Sequence, residues 1–433
     1  MNEKSTGFEV KQEQRQSWQS IAIVWIGSMI CVPCLMVGGL LGNGLSLGNV
    51  VIAILIGYGI ICFYMSFMGM QGCDTGLPTA VMASGALGEK GAKYVISSVL
   101  AIACIGWFGI QSAVCGASFS SMLASMIGIQ IPVWISSILW GTIMLVTACY
   151  GFKGLKWLNY LAVPLLLIVC GYGVWAAMVQ FDGATVIADY TPATPITLMS
   201  GISLVVATFA VGGAISSDYC RFAKSRKDVI KSSILGVLPA GLIMLLIGAL
   251  MSIVTGQYDI STVLTTVGVP AIGLVALVLA TWTTNITNAY SGGLSLSNLL
   301  GFDESKFKIT TAVAGGVGTL LAVIGVLNQL TSFLSLLSAL VPALVGTLIA
   351  DYWIIGRGKK ENFKIREGVS AKGMISFVAG ALIACITGGT FAAFPTLITA
   401  LPILNIPFFI GPLNGILVAM FVYIILYKIL PEK

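Results

Sequence analysis

The sequence contains no histidine. Imidazole metal sites, Ser-His-Asp constellations and histidine proton relays are therefore excluded. An intramembrane enzyme would need a catalytic pair, and only isolated Asp residues are on offer, so the chain is not expected to be an enzyme. Charge is almost as scarce, at 9% of 433 residues, where a soluble domain carries roughly a quarter. Lys and Arg are absent from half of the connections between apolar runs, including "VQFDGATVIADYTPATP" and "TGQYDIST", which hold only Asp182, Asp189 and Asp259.

Apolar runs fill the rest. With 57% hydrophobic residues, the chain repeatedly offers the roughly 20 apolar residues that one helical crossing of a bilayer needs. It reads as an all-α polytopic membrane protein. Twelve spans are expected, near 19–41, 48–70, 95–126, 131–150, 157–179, 195–217, 231–255, 264–294, 309–327, 329–351, 372–394 and 405–427. The first 17 residues are polar and lack a cleavage site, so they are expected to form a cytosolic tail. The other connections, "GEKGAK", "FKGLK", "DYCRFAKSRKDVIK", "FDESKFK" and "RGKKENFKIREGVSAK", hold with the two termini all 22 Lys and Arg. By the positive-inside rule both termini are cytoplasmic. The +6 net charge is thus a topological signal, and no nucleic-acid partner is expected.

Ten cysteines would suggest disulfides in a small secreted chain. Nearly all lie in apolar spans, where a free Cys packs as a small hydrophobe. Cys31-Val-Pro-Cys34 matches C-x-x-C, but a redox thiol wants an exposed site in a soluble fold. The informative residue is Pro33, which removes a helical hydrogen bond and frees carbonyls that can coordinate an ion. The first span is thus expected to break at Pro33 and Gly38-Gly39, and the sixth at Gly212-Gly213. If spans one to five and six to ten are inverted halves, the breaks fall at equivalent places. Such matched interruptions point to a transporter's binding site.

Polar groups cluster nearby. In "TWTTNITNAY", Ala280, Thr284 and Asn288 recur every four residues, with Thr283, Asn285 and Thr287 beside them. Paired threonine hydroxyls facing a broken helix suit a small hard cation. In the third span, Trp107 and Gln111 share a helical face, and Phe209 adjoins the sixth-span break. A flat, hydrogen-bonding ring fits between the two aromatic faces. Asp74 is an intramembrane acid that either relays protons or locks the inward gate. Asp218, Arg221 and Asp351 are expected as structural pairs at the cytoplasmic surface. A channel would need a continuous polar pore, whereas these groups gather near the breaks.

The stretches "GGLLGNGLS", "GWFG", "YLAVP…CGYGVW", "SDYCRF", "TWTTN" and "LIADYW" together resemble the nucleobase–cation symporter family, in particular its bacterial cytosine permeases. The resemblance implies a five-plus-five inverted repeat of the sodium-symporter kind, with broken helices one and six, two extra C-terminal helices and alternating access. Its divisions are a tail over 1–17, repeats over 18–179 and 195–352 around an extracellular loop over 180–194, a cytoplasmic loop over 353–371, helices over 372–428 and a tail over 429–433. It implies sodium on the carbonyls of Gly27, Ile30 and Ala280 and the hydroxyls of Thr283 and Thr284. It also places a substrate ring between Trp107 and Phe209, with Gln111, Cys104, Asn288 and Val211 around it. Cys104 stands where cytosine permeases carry a ring-binding glutamine, and Gln111 matches the hydantoin-type branch. The expected function is sodium-coupled symport of a planar nucleobase-like heterocycle, by a protein working as a monomer in the bacterial cytoplasmic membrane. Proton coupling and a hydroxymethylpyrimidine, purine, allantoin or hydantoin substrate are the alternatives, and no cofactor besides the coupling ion is implied.

Overall fold

The structure, a computed structural model, describes residues 10, 12–150, 155–192, 194–257, 260–268, 271–302 and 304–430. Residues 1–9, Lys153, Asp259 and 431–433 of the expected tails and loops lie outside the described residues. Among the described residues the only β pairing is an isolated bridge between Gln16 and Ala223.

Helices follow one another in the expected order. The first span is two helices, α1 (Trp18–Met29) and α2 (Val32–Gly44), and is followed by α3 (Leu47–Thr75). A short α4 (Thr79–Leu87) precedes the 39-residue α5 (Glu89–Ile127). Next come α6 (Val133–Tyr150), α7 (Leu155–Gln180) and a short α8 (Gly183–Ala188). The sixth span comprises α9 (Leu198–Ala214) and α10 (Ser216–Cys220), and α11 (Arg226–Thr255) follows. After α12 (Ile260–Thr266) come α13 (Ala271–Leu300), α14 (Phe307–Val323) and α15 (Leu330–Ile349), which runs on as a π-helical turn over Ala350–Ile355. The chain closes with α16 (Ala371–Thr387), α17 (Pro395–Ala400) and α18 (Gly411–Ile429).

Among the described residues seven helices are long and apolar enough to cross a membrane, and the α1–α2 pair, bent by 59°, makes an eighth. Twelve spans are expected, and the difference has physical causes. Helices α9, α14 and α16 are apolar but have only 17 residues each, or about 25 Å at 1.5 Å per residue. Helix α13, of 30 residues, covers the eighth expected span, and its first side chains lie outside the described residues. Helix α4 is not expected from sequence, because its small residues, "TAVMASGAL", show no periodicity.

Close packing comes from small residues, as between membrane helices generally. Where α2 meets α11, a side chain on Gly38 or Gly42 would strike the backbone at Leu245 or Ala249, and one on Gly248 would strike the Leu35 carbonyl. Gly38 therefore serves a tight interface, and no break occurs there. Between α4 and α5 the chain turns at Gly88, whose φ of 78° and contact with the Gly368 backbone leave no place for a side chain. Residues 356–370 then lie across α4 and the start of α5 as a strap. Arg366 and Ser370 donate backbone N–H groups to the Ser84 and Leu87 carbonyls (3.2 and 2.7 Å), and Glu89 donates to Arg366 (2.8 Å).

Candidate substrate and ion site

The break in the first span lies at Ile30 and Cys31, ahead of Pro33. Ile30 (φ −81°, ψ 79°) ends α1, and extended Cys31 (φ −147°, ψ 156°) caps α2. Pro33 sits in the first turn of α2, where its missing N–H costs nothing. The Cys31 N–H bonds the Met29 carbonyl (3.0 Å) and the Cys34 N–H bonds the Cys31 carbonyl (3.2 Å). The carbonyls of Gly27 and Ile30 thereby lose the donors that a continuous helix would supply. Cys31 and Cys34 are buried free thiols with sulfurs 3.5 Å apart.

On α13 the hydroxyls of Thr283 and Thr284 both donate to the Ala280 carbonyl, each at 3.0 Å. Three of the five candidate ion ligands thus form one cluster. Gly27 and Ile30 form the other, and no hydrogen bond among the described residues joins the two. Helix α1 packs chiefly on α11, while α2 touches α13.

In the sixth span the helical path fails at Phe209 (φ −131°, ψ 19°) and again at Ile215, on either side of the expected Gly212-Gly213. The two glycines have another task. The Phe209 ring folds back over Gly212, and the Tyr64 ring fills the place of a side chain on Gly213. The Tyr64 hydroxyl donates to the Ala210 carbonyl at the break (3.2 Å). Trp25 of α1, buried and unremarked in sequence, meets Phe209 edge-on at 5.9 Å and Tyr219 of α10 at 4.8 Å. One ring therefore ties the two broken spans together. Gly212→Ala is expected to dislodge the Phe209 ring and weaken ring binding while leaving thermal stability near that of the parent. Equal affinity of the two proteins in a binding titration would show that the ring's seat is unimportant.

Trp107 lies at the middle of α5, as expected. Its ring meets Phe333 of α15 at 5.4 Å, nearly perpendicular, and Gly106 makes room for Phe333. Trp107 and Phe209 make no ring contact with each other. One turn on, Gln111 is 3% exposed and its Oε1 has no partner. A buried amide oxygen left unmatched is unfavourable unless something else supplies a donor. Cys104, also buried, faces Gly292 of α13. The Asn285 amide donates to the Phe108 carbonyl and the Ser112 hydroxyl (3.0 and 3.2 Å), locking α13 to α5. Asn288 donates to Asn285 Oδ1 at 3.0 Å, and Val211 lines a small cavity beneath the α9 break.

Asp74, Asp218 and Asp351 each accept hydrogen bonds. Asp74, at the end of α3, receives a bidentate contact from Arg226 (2.8 and 2.6 Å) and the Tyr352 hydroxyl (2.8 Å). Arg226 also bonds the Gly358 carbonyl and lies over the Trp353 ring. Asp218 caps α4 by accepting the Thr79 N–H at 2.7 Å, and Arg221 donates to the Asp218 backbone carbonyl (3.3 Å). Asp351 is paired as expected but is buried, not superficial. It accepts from Arg366 (2.8 Å) and the Tyr423 hydroxyl (2.6 Å). Burial works against the Arg366 charge, but Asp351 beside it prevails and holds its proton more tightly than usual.

Comparison with known proteins agrees with this architecture. Residues 9–411 match the family described as permease for cytosine/purines, uracil, thiamine, allantoin. The cytosine permease of Escherichia coli is 30% identical over 354 residues, covering 82% of each chain. The hydantoin permease of Microbacterium maritypicum is 26% identical, over 83% of this chain and 77% of that one. Among solved structures, the inward-facing conformation of Mhp1 superposes with a TM-score of 0.76 at 21% identity, covering 96% and 93% of the two chains. A closed conformation of Mhp1 with bromovinylhydantoin bound gives 0.73 at 20% identity, over 99% and 95%.

Proposed function

The chain belongs to the permease family for cytosine/purines, uracil, thiamine and allantoin, and from that premise we propose that it carries a planar N-heterocycle into the cell together with sodium. The observation that carries the reading is the pair of interrupted spans, at Ile30–Cys31 and at Phe209 and Ile215, with aromatic rings and free carbonyls beside them. Interrupted helices at mid-membrane are tolerated where they line a wet cavity, and they serve transporters as substrate and ion sites.

The ring lies between Trp107 and Phe209. Gln111 supplies an acceptor for a ring N–H, and Asn288 and Cys104 flank the edge. Pyrimidines of the cytosine type come first, supported by the named relatives, which are cytosine and hydantoin permeases. Sodium takes the Gly27, Ile30 and Ala280 carbonyls and the Thr283 and Thr284 hydroxyls. It joins α1 to α13 and so raises affinity for the ring. Asp74, clamped by Arg226 and Tyr352, is a latch on the cytoplasmic side, not a proton carrier. The two halves form inverted five-helix repeats followed by two C-terminal helices, with both termini cytoplasmic.

A thermal-shift screen of purines, pyrimidines and hydantoins, with and without sodium, tests substrate and ion together. Sodium is expected to raise ring affinity, and the ring to raise sodium affinity by the same factor, because coupling is reciprocal. Uptake driven equally well by a proton gradient without sodium would overturn the ion assignment. Flux without saturation or uphill accumulation would indicate a channel.

A further inference from the structure

We propose that Cys31 and Cys34 are an oxidisable dithiol at the break of the first span, and that its closure to a disulfide, by exchange with a small disulfide compound, shuts off uptake. The inference rests on the transport reading above, which brings water and solutes to the break, and gives that transporter a modification site.

Placement is the first argument. Cys31 is the extended N-cap of α2, and Cys34 lies in the first turn of that helix. A Cys-x-x-Cys pair at the start of a helix is the arrangement found in reactive dithiols. Cys31 Sγ already donates to Cys34 Sγ at 3.5 Å, so the two sulfurs touch. Cys31 is 8% exposed and Cys34 3%, so a solute meets Cys31 first. Burial of this degree belongs to one conformer. An interrupted helix at mid-membrane lines a wet cavity, and alternating access opens that cavity to each side in turn. An oxidant outside reaches the pair in one state, and cytoplasmic thiols reduce it in the other.

Connection is the second. The Thr208 hydroxyl donates to the Val205 carbonyl at 2.7 Å. A hydroxyl has one proton to give, so the Tyr58 hydroxyl, 3.3 Å away, donates to Thr208 Oγ1. In the hydrogen bond that Tyr58 shares with Cys34, the thiol is then the donor. One row of donors therefore runs from Cys31 through Cys34, Tyr58 and Thr208 to Val205. It links the two breaks, since Thr208 immediately precedes Phe209. Tyr58 is fully buried, and its ring fills the place of a side chain on Gly241. It has no room to seek another partner.

The third argument is the chemistry of closure. The Cys31 sulfur attacks one sulfur of the small disulfide, whose S–S bond breaks, and the released thiolate takes the Cys31 proton. Cys34 then attacks the Cys31 sulfur and expels the second small thiol, which leaves with the Cys34 proton. The protein gives up two electrons and two protons, and the small disulfide becomes two thiols. Closure removes both S–H donors from the row and leaves the Tyr58 oxygen without one. It also ties the Cys31 side chain to α2, and with it the peptide that joins Ile30 to Cys31. The Ile30 carbonyl, a proposed sodium ligand, belongs to that peptide.

The test uses the full-length protein in proteoliposomes, with oxidised glutathione as the oxidant and cytosine as the transported probe. Oxidant should lower the intact mass of the parent by two hydrogen atoms, and peptide mapping should place the new bond at Cys31–Cys34. Uptake should fall about fivefold, the effect of losing one neutral hydrogen bond, and dithiothreitol should restore it. The double variant, Cys31→Ser with Cys34→Ser, keeps hydroxyl donors in the row. It should transport like the reduced parent and ignore the oxidant. Cys31→Ala cannot close the bond either, and serves if the double variant does not fold. A pair that stays reduced in the oxidant would overturn the proposal, as would a disulfide with undiminished uptake. Equal inhibition of the double variant would also overturn it, by assigning the effect to another cysteine. Failure of the transport reading would appear separately, as a reduced parent that binds no ring, and the mass shift would then still decide whether the dithiol closes.

Discussion

Trp107→Ala is expected to remove measurable ring binding. Stacking of one base on one aromatic face contributes about 1–3 kcal/mol, which is roughly 5- to 150-fold in affinity. The proposed site has two such faces, from α5 and from the broken α9. Phe209→Ala should therefore be comparably damaging, while Phe209→Trp keeps the face and should retain binding. Cys104→Ser should matter far less, because that side chain packs against Gly292 and only flanks the ring. Phe333→Ala should be intermediate, since Phe333 steadies the Trp107 ring from α15 at 5.4 Å. Titration of the purified variants with the ring found in the thermal-shift screen measures all five. Parental affinity in Trp107→Ala would refute the aromatic sandwich.

How far these features can be read from sequence depends on whether they are local. Span order and the one-sided charge follow from hydropathy and Lys/Arg placement, both properties of short stretches. The break in the first span is legible to within three residues, because proline starts the helix that follows a break. The sixth span misleads for a physical reason. Glycine marks either a weak point in a helix or a surface on which another group sits, and Gly212 and Gly213 are the second kind. The real interruption falls on Phe209, whose side chain carries no such signal. The Trp25–Phe209 contact, the Asp218 cap on α4 and the burial of Asp351 join residues far apart in sequence, and no pattern in either stretch announces them. Gln111 stands between these cases. Its helical phase with Trp107 is local, but its unmatched Oε1 becomes visible only once its neighbours are in place.

The second large effect is expected at Arg366. Asp351 lies in the π-helical turn after α15, its side chain one-tenth exposed, and accepts from Arg366 and Tyr423. Its carboxylate rests over Gly85 of α4, where a side chain would strike it and the Phe363 ring. The cluster therefore joins α15, α18, α4 and the strap at one point. Removing one partner of a buried ion pair leaves an uncompensated charge and costs roughly 3–5 kcal/mol. Arg366→Met should accordingly lower the thermal midpoint in detergent by several degrees or abolish folded expression. Asp351→Asn should be milder, because an amide still accepts from Tyr423. The double variant, Asp351→Leu with Arg366→Met, should regain part of the loss, since two apolar side chains leave no stranded charge. Full additivity of the Asp351→Leu and Arg366→Met single losses in that cycle would mean that the groups act independently. A single variant as stable as the parent would mean that the pair bears no load. Recovery in the double variant would instead identify the stranded carboxylate as the source of the damage. Uptake by that rescued protein then separates stability from motion. Parental uptake by the rescued protein would place the role of this cluster in stability alone, and slow uptake with normal ring binding would show that the tie between α15, α18 and the strap also serves transport.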